Sequence, residues 1–381
     1  MTRTAHSSLL EDRVAVALCA SAVFLVAWGV VHTLFWAHGQ LVDWPTYQDY
    51  GTAMVDGRVP YRDFAVEYPP GALPVFVVPS LAGGAYATSF AWLMSLFGVL
   101  LVGAVAWIRP LAAFYVALVP LLSGSLILSR FDLWPALLTT LAVGALLAGW
   151  QRIGWALLGA AVAAKLWPLV LVPLALAWTV RRGRLRDIVP GAVVLALIVV
   201  PFAVLAPGGL WSSLTGQASR PLQVESLGAS LLTTFTHPTV ISSHGSQNIA
   251  AQTALGSLFA ALQVVALVCL WIAFARGPAS AERLLRYAAG CVCAFVVFGK
   301  VLSPQYLLWL APLVPLVRGR RGLLATALLT AAFVLTQVWF PERYFAYALD
   351  FRLAGIVLLR NVVLVALLAV LVWPTRLAQA A

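Results

Sequence analysis

One stretch near the start of the chain combines carboxylates with tyrosines. It contains five of the thirteen acidic residues: Asp43, Asp49, Asp56, Asp63 and Glu67. Tyrosines alternate with them, at Tyr47, Tyr50, Tyr61 and Tyr68. Carboxylate oxygens accept hydrogen bonds from hydroxyl groups, and aromatic rings pack against the apolar face of a sugar. The stretch therefore predicts a site for a polyhydroxylated ligand, with Asp43, Asp49 and Glu67 as its functional carboxylates.

A second polar cluster, Ser129-Arg130-Phe131-Asp132, lies at the junction of two apolar runs. Two interpretations are open. Arg130 and Asp132 form an ion pair at the membrane rim, where such a pair contributes little. Alternatively, both side chains face the same site as the acidic stretch.

The basic residues are used unevenly. Of the 24 basic residues only two are lysines, Lys165 and Lys300, and each is followed within four residues by a proline, Pro168 or Pro304. A charged amine in apolar surroundings is costly, so it marks a substrate path or a bound anion. A compact ammonium group suits a phosphate. The alternative is that each lysine extends along apolar surface to reach water.

The composition indicates what must position these groups. Hydrophobic residues make up 62% of the chain and charged residues 10%, with a mean hydropathy of +0.95. A soluble domain needs a larger charged surface, so the sequence predicts an all-α polytopic membrane protein in contact with lipid. Apolar runs long enough to cross a bilayer occur near 14–36, 85–108, 110–128, 133–150, 188–206, 252–275, 323–340 and 353–373.

The arginines predict the orientation of these runs. They collect in short connectors, which are typical of the cytoplasmic side, and no nucleic-acid-binding motif accompanies the net charge of +11. Both termini are then cytoplasmic, and outer loops occupy about 37–72 and 207–251.

Two further apolar runs, 155–180 and 287–317, have arginines on both sides, so each must go out and return. We expect helical hairpins with a lysine-proline tip, and about ten to twelve membrane segments in a single domain, 1–381.

The polar motifs, taken together, resemble glycosyltransferase family 87. The resemblance spans about 40–320 and depends on the order and spacing of short motifs: Asp43 with Tyr47; Gly57 and Pro60-Tyr61-Arg62-Asp63-Phe64; Glu67-Tyr68-Pro69-Pro70; Arg130-Phe131-Asp132; Ala164-Lys165-Leu166-Trp167-Pro168; and Gly299-Lys300-Val301-Leu302-Ser303-Pro304-Gln305-Tyr306. It implies a membrane fold of GT-C type. It also implies similarity to actinobacterial α-1,2-mannosyltransferases that use polyprenyl-phosphate mannose.

The resemblance also implies a chemistry. A polyprenyl-phosphate sugar would be the donor and a glycolipid or glycan of the cell envelope the acceptor, on the extracytoplasmic face of the cell membrane. Asp43 would be the general base of an inverting transfer, with Asp49 as the alternative. The residues expected to bind substrate are Tyr47, Tyr61, Arg62, Asp63, Glu67, Tyr68, Arg130, Asp132, Lys165, Lys300, Gln305 and Tyr306.

Other interpretations stay open at this point. No cofactor is implied, and metal independence is favoured because two lysines can neutralise a monophosphate. A transporter of a small anionic or sugar-like substrate would also contain charged groups in the membrane and broken helices. A non-catalytic membrane scaffold is a third reading. The loop 207–251 either holds an acceptor or covers the site.

Overall fold

The computed structural model describes residues 2–35, 41–251 and 253–373. Residues 37–40 of the predicted first outer loop and the C-terminal residues 374–381 lie outside these ranges. The α-helices are, in chain order, α1 (Thr2–Phe35), α2 (Trp44–Val55), α3 (Leu73–Leu81), α4 (Tyr86–Ile108), α5 (Ala113–Ser123), α6 (Leu126–Ser129), α7 (Leu133–Leu147), α8 (Gln151–Ala164), α9 (Val172–Val180), α10 (Val189–Leu205), α11 (Pro207–Ser219), α12 (Leu227–Phe235), α13 (Thr253–Arg276), α14 (Ala281–Phe298), α15 (Leu307–Leu310), α16 (Gly319–Trp339), α17 (Tyr344–Ala348) and α18 (Ala354–Val372).

The predicted apolar runs are helical, but two of the eight are shorter than expected: 110–128 is divided at Gly124 into α5 and α6, and the helix in 133–150 ends at Leu147. Within the described residues, six are long and apolar enough to cross a membrane: Asp12–Leu34, Tyr86–Ile108, Leu185–Leu205, Ala254–Arg276, Gly319–Trp339 and Ala354–Val372. Four shorter apolar helical segments accompany them: Pro70–Leu81, Pro110–Ser123, Leu133–Leu147 and Trp167–Val180. An all-α polytopic membrane protein is therefore confirmed.

Both outer loops contain regular structure. The first holds α2, which begins with Pro45 in its first turn and buries Tyr47, Tyr50 and Gly51 on one face. The second holds α11, α12 and an antiparallel hairpin of β1 (Val240–Ser243) and β2 (Ser246–Ile249). Asp43, the residue before α2, contacts Arg130 at the α6–α7 junction.

The first lysine-proline hairpin is confirmed. Helix α8 ends at Ala164, Lys165 is extended, and a 3₁₀ turn at Trp167–Leu171 leads into α9. The chain returns alongside α8, because the Trp155 indole donates a hydrogen bond to the Thr179 hydroxyl at 3.0 Å.

The second hairpin has the same plan. Helix α14 ends at Phe298, and Lys300 lies in the break before the 3₁₀ turn Pro304–Tyr306. The chain then returns to the start of α14, where the Arg318 amide donates to the Glu282 carboxylate at 3.0 Å. Each hairpin therefore carries a lysine at its tip and arginines at its base.

The arginine-rich connectors meet at one end of the bundle. The Arg109 guanidinium donates to the Val317 carbonyl at 2.7 Å, and that of Arg181 donates to the Gly277 carbonyl. These contacts join the connectors in two pairs, and the Arg318–Glu282 contact links one pair to the other. The side of the membrane on which they lie stays a prediction.

A close backbone approach holds the first hairpin tip against the first loop. A Cβ on Gly71 would lie 2.6 Å from the Ala163 carbonyl carbon and 2.7 Å from the Ala164 nitrogen. The Trp134 indole also donates to the Gly71 carbonyl, at 3.1 Å. The residue next to Lys165 is thus packed directly on the backbone of the first loop.

We expect Gly71→Ala to destabilise the protein by about 1–3 kcal/mol, because one of the two backbones must move. Thermal unfolding in detergent measures the change. Gly103→Ala is the matched control, since a Cβ there meets no atom within 4 Å. Equal melting temperatures for the two variants would contradict the close approach.

Candidate active site

Asp43 lies at the N-cap of α2, but its side chain does not cap the helix. Its Oδ1 instead forms an ion pair with the Arg130 guanidinium, and its Oδ2 accepts a hydrogen bond from the Tyr47 hydroxyl at 3.3 Å. The Asp43 side chain keeps 34% of its surface exposed, whereas that of Arg130 keeps 9%. Asp43 is thus an oriented carboxylate that can still be reached from outside.

Asp132 and Lys165 form a second, more deeply buried pair. The lysine Nζ lies 2.6 Å from the Asp132 Oδ1, and the Asp132 side chain is 1% exposed. The same oxygen accepts a hydrogen bond from the Trp309 indole. The Lys165 Nζ also lies 4.5 Å from the centre of the Phe131 ring. Asp132 therefore pairs with Lys165, and Arg130 pairs with Asp43, so the structure excludes a simple rim pair between Arg130 and Asp132.

Aromatic rings enclose these pairs. Tyr47 stacks on Phe76 with ring centroids 4.6 Å apart, and Tyr68 meets Phe131 edge-on at 4.8 Å. On the other side, Tyr306 stacks on Trp309 at 3.9 Å. The two charge pairs therefore lie among rings contributed by the first loop, the α6–α7 junction and the second hairpin.

The second outer loop closes the cluster. Arg220 interacts electrostatically with Lys165 and Tyr306, and its guanidinium donates to the His244 carbonyl at 3.0 Å. The Gln223 amide donates to the Lys300 carbonyl at 2.9 Å. The Lys300 tip is thus bound to this loop, which either holds an acceptor or covers the site.

The other site residues predicted from the sequence lie around this cluster. Tyr61 is buried and donates to the Tyr68 carbonyl at 2.6 Å, so it supports the Tyr68 segment. Glu67 is exposed, and its carbonyl accepts from Gln217 at 3.1 Å. Gln305, which precedes Tyr306, is half-buried.

The Arg62–Asp63 pair belongs to a local turn. The two side chains are 2.9 Å apart, and Asp63 also accepts from the Val59 amide at 2.7 Å. The Arg62 hydrogen bond, helped by Val59, lowers the pKa of Asp63 to about 2. Their contacts stabilise the turn, and a substrate-binding role for the pair stays a prediction.

The structure separates the two candidate bases. Asp49 lies on the exposed face of α2, two residues after the buried Tyr47, and Asp43 lies against Arg130. Among the described residues, no group of three or more His, Cys, Asp or Glu side chains could hold a metal ion. Metal independence stays a prediction.

Glu225, in the second outer loop, was not assigned to the site from the sequence. Its side chain is buried, and it interacts electrostatically with Arg130 and Arg220. Burial raises the pKa of the Glu225 carboxyl from 4.5 to about 7. Between these values the folded protein binds more protons at this group than the unfolded chain does, so folding stability falls as pH rises.

We therefore expect the melting temperature of the wild type to fall more between about pH 5 and about pH 8 than that of Glu225→Gln. The difference between the two curves isolates this carboxyl from the other titrating groups. Parallel curves would show that Glu225 titrates normally.

The fold is that of an integral membrane protein of GT-C type. The sequence model of glycosyltransferase family 87 matches residues 66–304, and the chain belongs to that family. It is a membrane glycosyltransferase.

Among solved structures, the fold is similar to the crystal structure of ArnT from Cupriavidus metallidurans bound to undecaprenyl phosphate, with a TM-score of 0.50. The likeness covers 93% of this chain and 76% of that one at 16% sequence identity, so it concerns the fold. No curated protein matches the chain.

Proposed function

We propose that the protein transfers a hexose, with mannose as the first candidate, from a polyprenyl phosphate to a glycolipid or glycan acceptor. The observation that carries the proposal is the convergence of Asp43, Arg130 and Lys165 in one aromatic-walled cluster. A carboxylate beside two cations suits a reaction in which a hydroxyl loses a proton while a phosphate leaves. The undecaprenyl phosphate bound to ArnT supports a lipid carrier.

In the proposed reaction, Asp43 takes the proton of an acceptor hydroxyl. The hydroxyl oxygen attacks the anomeric carbon, and the bond from that carbon to the phosphate oxygen breaks. The electron pair leaves with the polyprenyl phosphate. Attack from the opposite face inverts the centre, so a β-linked donor gives an α-linked product.

The cations stabilise the leaving phosphate. Lys165 has three N–H donors and gives one to Asp132, so others can reach a phosphate oxygen. The Nε of Arg130 is buried and makes no hydrogen bond within the described part of the chain. Lys300 lies at the other hairpin tip and is proposed as a third cation. All three act as fixed charges for a developing anion.

The proposed site faces the outside of the cell membrane, with both termini in the cytoplasm. The support is the separation of charges along the bundle: the arginine connectors contact one another at one end, whereas Asp43, Arg130 and Lys165 meet at the other. Arginine-rich connectors are typical of the cytoplasmic side.

Reconstituted protein tests the proposal. Proteoliposomes receive polyprenyl-phosphate mannose labelled in the sugar, together with an envelope glycolipid extract, and parallel samples receive the glucose-bearing or a pentose-bearing donor. We expect label to enter an acceptor while polyprenyl phosphate is released. Uptake of sugar without covalent transfer would favour a transporter. Transfer from only the glucose or the pentose donor would show that this sugar, and not mannose, is the one transferred.

A further inference from the structure

The last membrane helix carries a buried charge outside the region matched by the family. Arg360 lies in α18, a helix with a mean hydropathy of 2.7, and the residue is 0% exposed. A charged side chain in such a helix costs about 2.5–3.5 kcal/mol and usually marks a functional contact. Asn361, next in the chain, is 1% exposed. Two adjacent buried polar residues in an apolar helix need a common explanation.

Both side chains donate a hydrogen bond to the same backbone oxygen, that of Glu225. The Arg360 Nη2 donates to the Glu225 carbonyl at 3.0 Å, and the Asn361 amide donates to it at 3.2 Å. Asn361 also donates to the Ser230 hydroxyl at 2.8 Å. One carbonyl accepts from only a small part of the five N–H donors of a guanidinium. The contact therefore does more to fix the segment around Glu225 than to replace the hydration of the arginine.

The Glu225 carboxyl is an acidic group that interacts with the buried arginine of α18. It interacts electrostatically with Arg360, although the ion pairs within 4 Å among the described residues do not include these two side chains. The carboxyl also interacts electrostatically with Arg130 and Arg220. Glu225 therefore interacts both with the arginine of α18 and with Arg130 and Arg220.

The same segment is tied to the second lysine tip. The Gln223 amide donates to the Lys300 carbonyl at 2.9 Å, and the Gln223 side chain donates to the Ser303 hydroxyl at 3.1 Å. The Tyr347 hydroxyl, from α17, donates to the carbonyl of Val224 between them. Hydrogen bonds from α18, from α17 and from the Lys300 tip thus hold three consecutive residues, 223–225.

We propose that Arg360 and Asn361 are positioning residues for the phosphate side of the site, holding the Gln223–Glu225 segment and, through it, the Lys300 tip and Arg220. This inference rests on the proposed function, because it takes the lysine tips to bind the donor phosphate. It assigns a role to the C-terminal helix, which supplies no group to the charge pairs around Asp43 and Asp132.

A KM-against-kcat comparison in proteoliposomes tests the proposal. We expect Arg360→Met and Asn361→Leu each to raise the donor KM about tenfold, the effect of losing one hydrogen bond to a charged or fixed partner. The acceptor KM should change by less than about twofold, since the hydrogen bonds of Arg360 and Asn361 to the Glu225 carbonyl act on the phosphate side of the site. Arg360→Lys, which keeps the positive charge and N–H groups that can donate to the Glu225 carbonyl, should restore part of the donor affinity.

Arg352→Met is the matched control, because it removes an exposed arginine just before the same helix. If Arg360→Met does not fold, Asn361→Leu carries the test, since leucine suits an apolar helix. A fall in melting temperature with an unchanged donor KM, or the same donor effect in Arg352→Met, would overturn the proposal. A wild type that transfers no sugar from any lipid-linked donor would instead reject the proposed function itself.

Discussion

Asp43→Asn is expected to reduce sugar transfer by at least about a hundredfold, because the amide cannot take the proton of the attacking hydroxyl. The substitution keeps the size of the side chain and one oxygen to accept from Arg130, while the amide NH2 can donate to the Tyr47 hydroxyl in place of the hydrogen bond that Asp43 accepts. Donor binding should therefore change little, and the loss should appear in kcat. Initial rates with labelled donor, together with donor affinity from a melting-temperature titration, separate the two effects.

Asp49→Asn is the matched control in the same helix. Its side chain is exposed and lies two residues from the buried Tyr47, so we expect transfer within about twofold of the wild type. The opposite result, an active Asp43→Asn with an inactive Asp49→Asn, would make Asp49 the base and contradict the orientation of α2.

Lys165→Met is expected to have two consequences. Transfer should fall by about a hundredfold, since a charge that stabilises the leaving phosphate is lost. The protein should also lose about 3–5 kcal/mol of stability, because Asp132 is left buried without its cation. A stability loss alone would lower activity, so the single variant does not separate these causes.

The double variant Asp132→Asn/Lys165→Met separates them. With both charges removed, most of the stability should return, while transfer should stay low because the phosphate still lacks the ammonium. Melting temperatures and donor KM for the two single variants and the double variant complete the cycle. Recovery of transfer along with stability would show that Lys165 acts only in folding.

The membrane helices and both hairpins could be predicted from the sequence because their signals are local. Apolar runs have the length of a bilayer, and arginines on both sides of 155–180 and 287–317 require a return. Prolines mark the breaks, and Lys165 lies at the end of a helix as expected. The spacing of Asp43 and Tyr47, one helical turn apart, likewise brings their side chains together.

The partners of the charged groups could not be predicted, because they are set by packing between distant segments. Lys165 pairs with a residue 33 positions earlier, and the Trp309 indole reaches Asp132 across 177 positions. An ion pair between Arg130 and Asp132 is one of the two interpretations that the sequence leaves open. The structure pairs Arg130 with Asp43 of the first loop and Asp132 with Lys165 of the first hairpin.

The C-terminal helix shows the same limit. Arg360 is visible in the sequence as a charge within an apolar run, which is a signal of function. Its contact is the carbonyl of Glu225, in a loop 135 positions away, and a backbone acceptor leaves no trace in residue type. The sequence therefore indicates that such a residue matters without indicating what it holds.

A structure of Asp43→Asn with an intact polyprenyl-phosphate sugar bound tests the central claim most directly, since the substitution should trap the donor. We predict that the phosphate lies against Lys165 and Arg130, with the side chain at position 43 facing the anomeric carbon across the space for an acceptor hydroxyl. A donor headgroup in the open groove at the arginine end, lined by 149–153 and 183–187, would contradict the account.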